Sequence, residues 1–229
     1  MEINLVQHVQ DGITGINKFK KIKKHISMSK KVKVLDIGGT VLSADIIKSI
    51  LPKSKITIAN NNKNDLNNSK DYKTILIDCY EIDKLNTKFD YVFANDLIEH
   101  LFDPDLFIEK VEKICKGTLI ITTPNIAVWY NRISLLFGKD LPNYSSSRVR
   151  TGTFLSEVGA PGHKSVFSIK SLSRLVERHG FNVTKIDSFS YQASNQKDGR
   201  GGTIRKNINN LLPKSFQEGI IIYASKKQA

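Results

Sequence analysis

Two acidic residues and a histidine lie close together near the middle of the chain. Asp96, Glu99 and His100 stand in the pentapeptide D-L-I-E-H, and a second histidine, His163, follows much later. If the pentapeptide begins a helical turn, positions i, i+3 and i+4 share one face, and we expect His163 at the mouth of the same pocket. Mixed histidine and carboxylate ligands suit a divalent ion such as Mg²⁺, Mn²⁺, Zn²⁺ or Fe²⁺. These four residues are a candidate metal site, where an ion would bind substrate hydroxyls and lower their pKa.

Two other interpretations of the same residues stay open. Without a metal, His100 or His163 would serve as a general base, since the ordinary pKa of histidine lies near neutral pH. Together with Glu99, these histidines are the candidate catalytic residues. The structural alternative is that the Glu-His pair only caps a turn and satisfies buried backbone groups.

A second group of polar residues follows a buried strand near the start of the chain. The β-branched run at 32–37 contains Asp36 and stops at Gly38 and Gly39, and a helix is predicted over 42–51, ending before Pro52. Strand, glycine turn and helix begin a βαβ unit. This places the turn at the carboxyl end of the sheet, where doubly wound folds bind ligands. The glycines allow the backbone to approach a ligand closely.

The same alternation of strands and helices continues along the chain and predicts an α/β fold with a doubly wound sheet. Helices are predicted from Pro104, ending at Gly117, and over 169–179. The predicted strands share short apolar runs that end at polar or glycine residues, and they lie at 32–37, 55–59, 74–77, 89–94, 118–122, 183–189 and 219–224. The Asn-rich segment 60–70 is predicted to be a loop.

The domain organisation follows from these elements. Residues 1–31 are predicted to form an N-terminal helical flank, and 32–229 one domain. Within that domain, 126–167 is a long excursion whose aromatic and arginine side chains could cover a small-molecule pocket or simply pack on the sheet. These side chains are Trp129, Tyr130, Phe137, Tyr144, Phe154, Arg132, Arg148 and Arg150. A Gly-, Asn- and Lys-rich stretch at 192–215 is predicted to be a mobile loop.

The charge of the chain is its unusual bulk property. A formal net charge of +13 suggests an anionic partner, such as nucleic acid, an acidic membrane surface or an anionic metabolite, or else a Lys-rich solubilising surface. The basic cluster at 18–24, with Phe19 and Ile22 between the lysines, could contact a membrane or nucleic acid, or be a solvated helix face. Cys79 and Cys115 are predicted to be reduced, and with no transmembrane or signal segment the chain is predicted to be cytoplasmic.

Four sequence pieces in this order resemble the class I S-adenosylmethionine-dependent methyltransferases. They are V-L-D-I-G-G-T, F-D-Y-V-F-A-N-D-L-I-E-H-L, L-I-I-T-T-P-N, and G-H-K-S-V-F-S followed by a helix and G-F-N-V. The set is most similar to the branch of ubiquinone-type O-methyltransferases and sugar or natural-product methyltransferases. The resemblance implies a Rossmann-like sheet of seven mostly parallel strands with an antiparallel last strand, helices on both faces, and S-adenosylmethionine as cofactor.

The resemblance also implies which residues bind the cofactor. Asp36, Gly38 and Gly39 would surround its methionine part. Asp78 and Cys79 would lie near adenine, and Asn95 and Leu97 beside the cofactor after the fourth strand. The chain departs from the family pattern at two positions, both of which are expected at the cofactor. Thr40 replaces a glycine and would narrow the approach, and Asn60 stands where an acidic residue usually binds the ribose.

These observations predict methyl transfer to a small-molecule acceptor, most simply to a hydroxyl oxygen, by in-line displacement. An anionic acceptor would suit the positive charge. One rival is a nucleic-acid methyltransferase, which that charge favours, although Thr123-Pro124-Asn125 is not the Asn-Pro-Pro-aromatic run of many base-amino methyltransferases. The other is a non-catalytic scaffold, which the departures at Thr40 and Asn60 favour.

Overall fold

The structure of the protein is a computed structural model. It describes residues 16–26, 30–67, 71–142, 144, 163–191 and 211–227. The predicted flank up to residue 15, most of the predicted mobile loop and the middle of the predicted excursion lie outside the described residues.

Seven strands form a single sheet in the order β3-β2-β1-β4-β5-β7-β6. The strands are β1 (Val32–Ile37), β2 (Ser54–Asn60), β3 (Lys73–Leu76), β4 (Phe89–Asn95), β5 (Cys115–Pro124), β6 (Phe181–Phe189) and β7 (Gly219–Lys226). The pairs β1–β2, β1–β4, β2–β3 and β4–β5 are parallel. β7 runs antiparallel to both β5 and β6. The predicted mostly parallel sheet with an antiparallel last strand is confirmed.

Within the described residues, five α-helices flank the sheet. They are α1 (Ile16–Lys23), α2 (Val41–Ile50), α3 (Pro104–Ile114), α4 (Trp129–Leu136) and α5 (Ile169–Arg178). α1 and α2 pack on one face of the sheet, where their buried side chains join Val34 and Phe93 in one apolar cluster. α3 and α5 pack on the other face, in a second cluster with Leu35 and Ile37. Because successive strand residues point to opposite faces, the near-continuous apolar β1 supplies both clusters.

The chain reverses its winding direction between β1 and β4. These strands are neighbours in the sheet, and their connections leave toward opposite sides. Such a switch point opens a crevice at the carboxyl ends of the two strands. The segment after β1, with Gly38 and Gly39, therefore meets the segment that begins with Asn95 at the end of β4.

The prediction that Gly117 ends a helix is wrong. α3 ends at Ile114, and Gly117 lies inside β5. A Cβ on Gly117 would come within 2.2 Å of the backbone oxygen of Asp90. The glycine is thus needed for the close approach of β4 and β5, where the pairing register shifts, and not for a helix cap.

The described part of the basic flank, at 18–24, does not present its apolar residues to solvent. Phe19 and Ile22 are buried in the core beneath α1. They cannot also insert into a membrane, so a contact of this flank with lipid or nucleic acid would depend on the exposed lysines, such as Lys20 and Lys23. Among the described residues, no helix is long and apolar enough to cross a membrane. Cys79 and Cys115 are free thiols.

Candidate functional site

A cavity of about 120 Å³ opens at the carboxyl ends of β1 and β4. We call it the glycine cavity, and it is lined by Lys18, Phe19, Asp36, Gly38, Gly39, Thr40, Ser43 and Asn95. Gly38 has φ = +70°, a conformation that only glycine adopts readily, and its N–H donates to the oxygen of Ala59 at 2.7 Å. The turn is therefore fixed to the end of β2 as well.

Asp36 is the fully buried acid of this cavity. The hydroxyl of Ser43 donates to its Oδ2 at 2.5 Å. Its Oδ1 is buried and has no hydrogen-bond partner in the described part of the chain. Burial raises the pKa of Asp36 to about 7, although the Ser43 hydroxyl, the Lys18 ammonium and the nearby amide of Asn95 lower it. Asp36 therefore holds an oxygen that a cationic ligand group can satisfy.

The cavity has no room for further side chains at its two glycines. A Cβ on Gly38 would lie 3.1 Å from the side chain of Leu97, and a Cβ on Gly39 would lie 2.1 Å from Oδ2 of Asp36. Nδ2 of Asn95, which also lines the cavity, is buried without a partner among the described residues. An unsatisfied acceptor and an unsatisfied donor beside a glycine turn fit the ammonium and carboxylate of an amino-acid-like ligand.

Thr40 has a structural role that its sequence position did not reveal. It is the N-cap of α2, where its side chain accepts from the N–H of Ser43 at 3.3 Å and Ser43 in turn accepts from the N–H of Thr40 at 2.8 Å. This capping box explains a threonine where a glycine was expected. Thr40 still lines the cavity.

Asn60 is likewise held by the protein. Its Nδ2 donates to the oxygen of Gly39 at 2.9 Å, and its Oδ1 accepts from the N–H of Asn62 at 2.9 Å. Asn60 thus joins the end of β2 to the glycine turn. The carboxylate of Asp65 lies 3.4 Å from the same Nδ2, so an acid stands near this position although the chain has none at Asn60 itself.

Asp78 and Cys79 are not among the residues that line the glycine cavity. Asp78 is exposed and caps the short 3₁₀ helix Cys79–Leu85, with its Oδ1 accepting from the N–H of Tyr80 at 2.8 Å. Burial and the neighbouring Asp78 raise the pKa of the Cys79 thiol to about 12. The cysteine is therefore a neutral thiol at neutral pH. The proposed adenine contact of these two residues stays a prediction.

Asp96 turns toward Lys18. It has φ = +47°, which is uncommon for a residue other than glycine. The ammonium of Lys18 lies 2.5 Å from its Oδ2, and the Thr122 hydroxyl donates to its Oδ1 at 3.0 Å. Lys18 was not among the predicted site residues, yet it is only 4% exposed. Its position four residues before the buried Ile22, on the same helix face, is the sequence signal that could have identified it.

Glu99, His100 and His163 form a second group, the histidine cluster. One potential ligand atom from each residue lies within 4.8 Å of the others. The two imidazole rings are 5.3 Å apart, and the Thr123 hydroxyl donates to Oε2 of the buried Glu99 at 2.9 Å. The structure thus brings together three of the four predicted metal ligands, whereas Asp96, before the 3₁₀ helix Ile98–His100, lies outside that group.

Burial controls the protonation of the histidine cluster. It lowers the pKa of His100 and of His163, so both imidazoles are neutral at pH 7. Burial, followed by the charge of Asp96, raises the pKa of Glu99 to about 8. Nδ1 of His100 is buried and has no partner within the described residues. Two neutral imidazoles can accept a proton or bind a divalent ion, and an ion would displace the proton of Glu99.

A small pocket adjoins the histidine cluster. It is lined by Glu99, Pro124, Ile126, Tyr144, His163, Ser165, Val166 and Phe167. Of the predicted excursion residues, Tyr144 stands near His163, with ring centroids 6.1 Å apart. The guanidinium of Arg132 instead stacks on Phe216 at 4.1 Å, and Phe137 is exposed. Arg148, Arg150 and Phe154 lie outside the described residues.

Comparisons with known proteins agree with the observed fold. A family model described as a methyltransferase domain matches residues 29–186. No curated protein matches the chain significantly. A methyltransferase dependent on S-adenosylmethionine from Archaeoglobus fulgidus is 19% identical, with a TM-score of 0.58 over 92% of this chain and 93% of its own. A structure from Bacillus halodurans, described as that of a methyltransferase, is 12% identical, with a TM-score of 0.62 over 93% and 100%.

A third similar structure holds a ligand. The magnesium protoporphyrin IX methyltransferase of Synechocystis, solved with bound S-adenosylhomocysteine, is 11% identical, with a TM-score of 0.57 over 99% of this chain and 90% of its own. At these identities, the solved structures establish a shared fold.

Proposed function

The chain belongs to the family of methyltransferase domains, and we propose that it transfers a methyl group from S-adenosylmethionine to a hydroxyl oxygen of a small molecule. One observation carries this proposal: the glycine cavity and the histidine cluster adjoin. Asn95 lines the cavity, and four residues separate it from His100. Lys18 lines the cavity and pairs with Asp96 on the same segment, three residues before Glu99. The neighbouring hydroxyls of Thr122 and Thr123 donate to Asp96 and to Glu99. A methyl donor in the glycine cavity and a methyl acceptor at the histidine cluster could therefore meet.

The glycine cavity is the proposed cofactor site. Asp36 and Asn95 would bind the polar groups of the methionine part, and the turn of Gly38 and Gly39 would let it approach the backbone. Thr40, Asn60 and Leu97, together with Asp78 and Cys79, are the further proposed contacts. When bound, S-adenosylmethionine supplies an electrophilic methyl group on a sulfonium centre. Alignment of the two reactants in a site that excludes water can be worth roughly 7–11 kcal/mol of the barrier.

The histidine cluster is the proposed acceptor site. A neutral His100 or His163 accepts the hydroxyl proton as the oxygen attacks, so the base gains H⁺ and the acceptor gains the methyl group. Glu99, protonated near neutral pH, positions the acceptor by donating a hydrogen bond. In the metal-dependent alternative, Glu99, His100 and His163 would hold a divalent ion, which would lower the pKa of the hydroxyl. Nδ1 of His100, buried and without a partner among the described residues, fits either form.

The branch that we infer is that of O-methyltransferases acting on quinone precursors, sugars or natural products. An acceptor with an anionic group would suit a protein of net charge +13. Because the same charge would also favour nucleic acid, methyl transfer to a nucleic acid is one outcome that the experiment tests.

The test begins with calorimetric titration of S-adenosylhomocysteine into the full chain, with EDTA and with added Mg²⁺, Mn²⁺ or Zn²⁺. Labelled S-adenosylmethionine is then supplied with phenols, catechols, sugars, anionic variants of each, and RNA. Binding followed by transfer to a hydroxyl supports the proposal. No binding under any condition overturns it, and transfer to RNA alone replaces the acceptor class.

Two variants identify the base. Of H100A and H163A, the variant that removes the base should reduce the turnover number about 10²- to 10⁴-fold, and the other should reduce it less, while the affinity for S-adenosylhomocysteine stays unchanged in both. H179A is the matched control, because His179 pairs with the exposed Asp105 away from both sites. Turnover abolished by EDTA and restored by one metal favours the ion, whereas turnover indifferent to EDTA favours the free base. Full activity in both variants would contradict the acceptor site.

A further inference from the structure

Lys18 is a buried cation at the boundary of the glycine cavity. Only 4% of this residue is exposed, and its ammonium lies 2.5 Å from Oδ2 of Asp96. A buried lysine is costly unless an anion compensates it. The negative charge of Asp96 compensates the ammonium of Lys18. The pair joins α1 to the end of β4, and 78 positions separate its two residues in the sequence.

The charges around the cavity are arranged for a ligand with two charged ends. Oδ1 of Asp36 and Nδ2 of Asn95 have no hydrogen-bond partner among the described residues, and the two side chains lie near each other. Lys18 is the cationic residue among those that line the cavity. An α-amino acid group needs a carboxylate for its ammonium, and a cation with further N–H donors for its own carboxylate. The glycine cavity holds both.

We propose that Lys18 binds the α-carboxylate of the cofactor's methionine part, and that α1 thereby closes the glycine cavity over the ligand. The ammonium of the ligand would face Asp36 on the opposite side. Lys18 would then share its charge between the ligand carboxylate and Asp96. This inference rests on the proposed function and assigns to α1 a specific role in selecting a cofactor with an intact amino acid end.

Residues other than Lys18 also hold α1 against the rest of the protein. The side chain of Asn17 donates to the oxygen of Ser190 at 3.1 Å, and Lys21 lies 3.5 Å from Oδ1 of Asp187. Phe19 and Ile22 are buried beneath the helix. Asp96 would keep the hydroxyl of Thr122, and its side chain is 26% exposed, so water can reach it. K18M, which keeps the length of the side chain, is therefore expected to fold.

The experiment compares two ligands with three forms of the full-length protein by calorimetry. The ligands are S-adenosylhomocysteine and its carboxamide analogue, in which only the carboxylate charge is removed. Wild type should bind the acid at least tenfold more tightly than the amide. K18M should bind the acid at least tenfold more weakly than wild type does and lose the preference, with a ratio near one. K20M, at an exposed position of the same helix, should keep the wild-type ratio.

The ratio of the affinities for the acid and the amide distinguishes binding of the carboxylate by Lys18 from a purely structural role of this residue. If K18M weakens both ligands equally, or leaves both unchanged, the preference survives and the inference is overturned. If K18M binds neither ligand measurably, K18R decides: a restored preference for the acid supports the carboxylate site, and its absence refutes it. If wild type binds neither ligand, the proposed function itself fails. Circular dichroism and melting temperature establish the folding of each variant.

Discussion

Gly39 lies so close to Asp36 that a Cβ placed on it would come within 2.1 Å of Oδ2 of that carboxylate. The contact fixes the acid against the glycine turn, because the hydroxyl of Ser43 holds the same oxygen from the start of α2. The identity of Gly39 is therefore a requirement of the buried acid and not of backbone flexibility. A change at this position should alter both the fold and the ligand site.

The variant G39A should lower the free energy of unfolding by about 1–3 kcal/mol, the usual cost of forcing an extra group into a packed site. It should also abolish binding of S-adenosylhomocysteine, because Asp36 must move. Urea unfolding and calorimetry measure the two effects. G138A is the control: Gly138 has φ = +65°, and a Cβ placed on it would meet nothing within 4 Å, so backbone strain alone is tested there. Normal ligand binding by G39A would contradict this account.

The pH dependence of stability should reveal Asp36. Its folded pKa of about 7 lies above the ordinary 3.8, so between these values the native state holds a proton that the unfolded chain has lost. Stability must then fall as the pH rises through this window, by at most about 4 kcal/mol for this group. The D36N variant lacks this pH-dependent contribution to stability, because asparagine does not titrate. The loss of unfolding free energy between pH 5 and pH 8 should therefore be smaller in D36N than in wild type.

Urea unfolding at the two pH values gives the comparison, and only the difference between proteins is interpreted, because Glu99 titrates in both. D140N, at an exposed position, should retain the wild-type slope. An equal slope in D36N and wild type would mean that Asp36 is ionised throughout the window.

The sequence was sufficient for the sheet and for much of the glycine cavity. Apolar runs ending in Asp36 and in Asn95 predict neighbouring parallel strands, and the ends of such strands meet by topology. The role of Gly117 could not be predicted in the same way, because a glycine after a helix usually ends it. Only the approach of β4 to β5, a long-range contact, shows why this glycine lies within a strand.

The directions of side chains at the site are the other feature that the sequence could not predict. The spacing of Asp96, Glu99 and His100 predicts a shared face only if the turn starts at Asp96. The left-handed conformation of Asp96 turns its carboxylate toward Lys18 instead, and no local pattern encodes that partner 78 residues away. From the sequence, Thr40 and Asn60 are departures from the family pattern at the cofactor. Their hydrogen bonds to Ser43 and Gly39 depend on the folded turn, so the sequence does not show this structural role.

The capping role of Thr40 gives a separate prediction. T40A should lower the free energy of unfolding by about 1 kcal/mol, because the N–H of Ser43 loses its acceptor at the start of α2. T40S should be close to wild type, since serine keeps the hydroxyl. Urea unfolding of the three proteins measures the order. A T40A variant as stable as wild type would show that the capping box contributes nothing.

The last prediction concerns Asp187, which fastens α1 to β6. Burial raises the pKa of Asp187, but the N–H of Ser188, His25 and the charges of Lys21 and Lys214 outweigh it and lower that pKa overall. Such a group contributes stability above its unfolded pKa near 3.8, and this stability is lost as the pH falls through the lower folded pKa. D187N should therefore lower the free energy of unfolding at pH 7 by about 1–2 kcal/mol.

Urea unfolding from pH 7 down to pH 2.5 tests both the size and the window of this effect. The difference between D187N and wild type should shrink below pH 3.8, since wild-type Asp187 then becomes neutral too. D83N is the matched control, because Asp83 also faces two lysines but its side chain is more exposed than that of Asp187, 18% against 10%, and its effect should be smaller. A difference that persists undiminished at pH 2.5 would assign the role of Asp187 to packing and not to its charge.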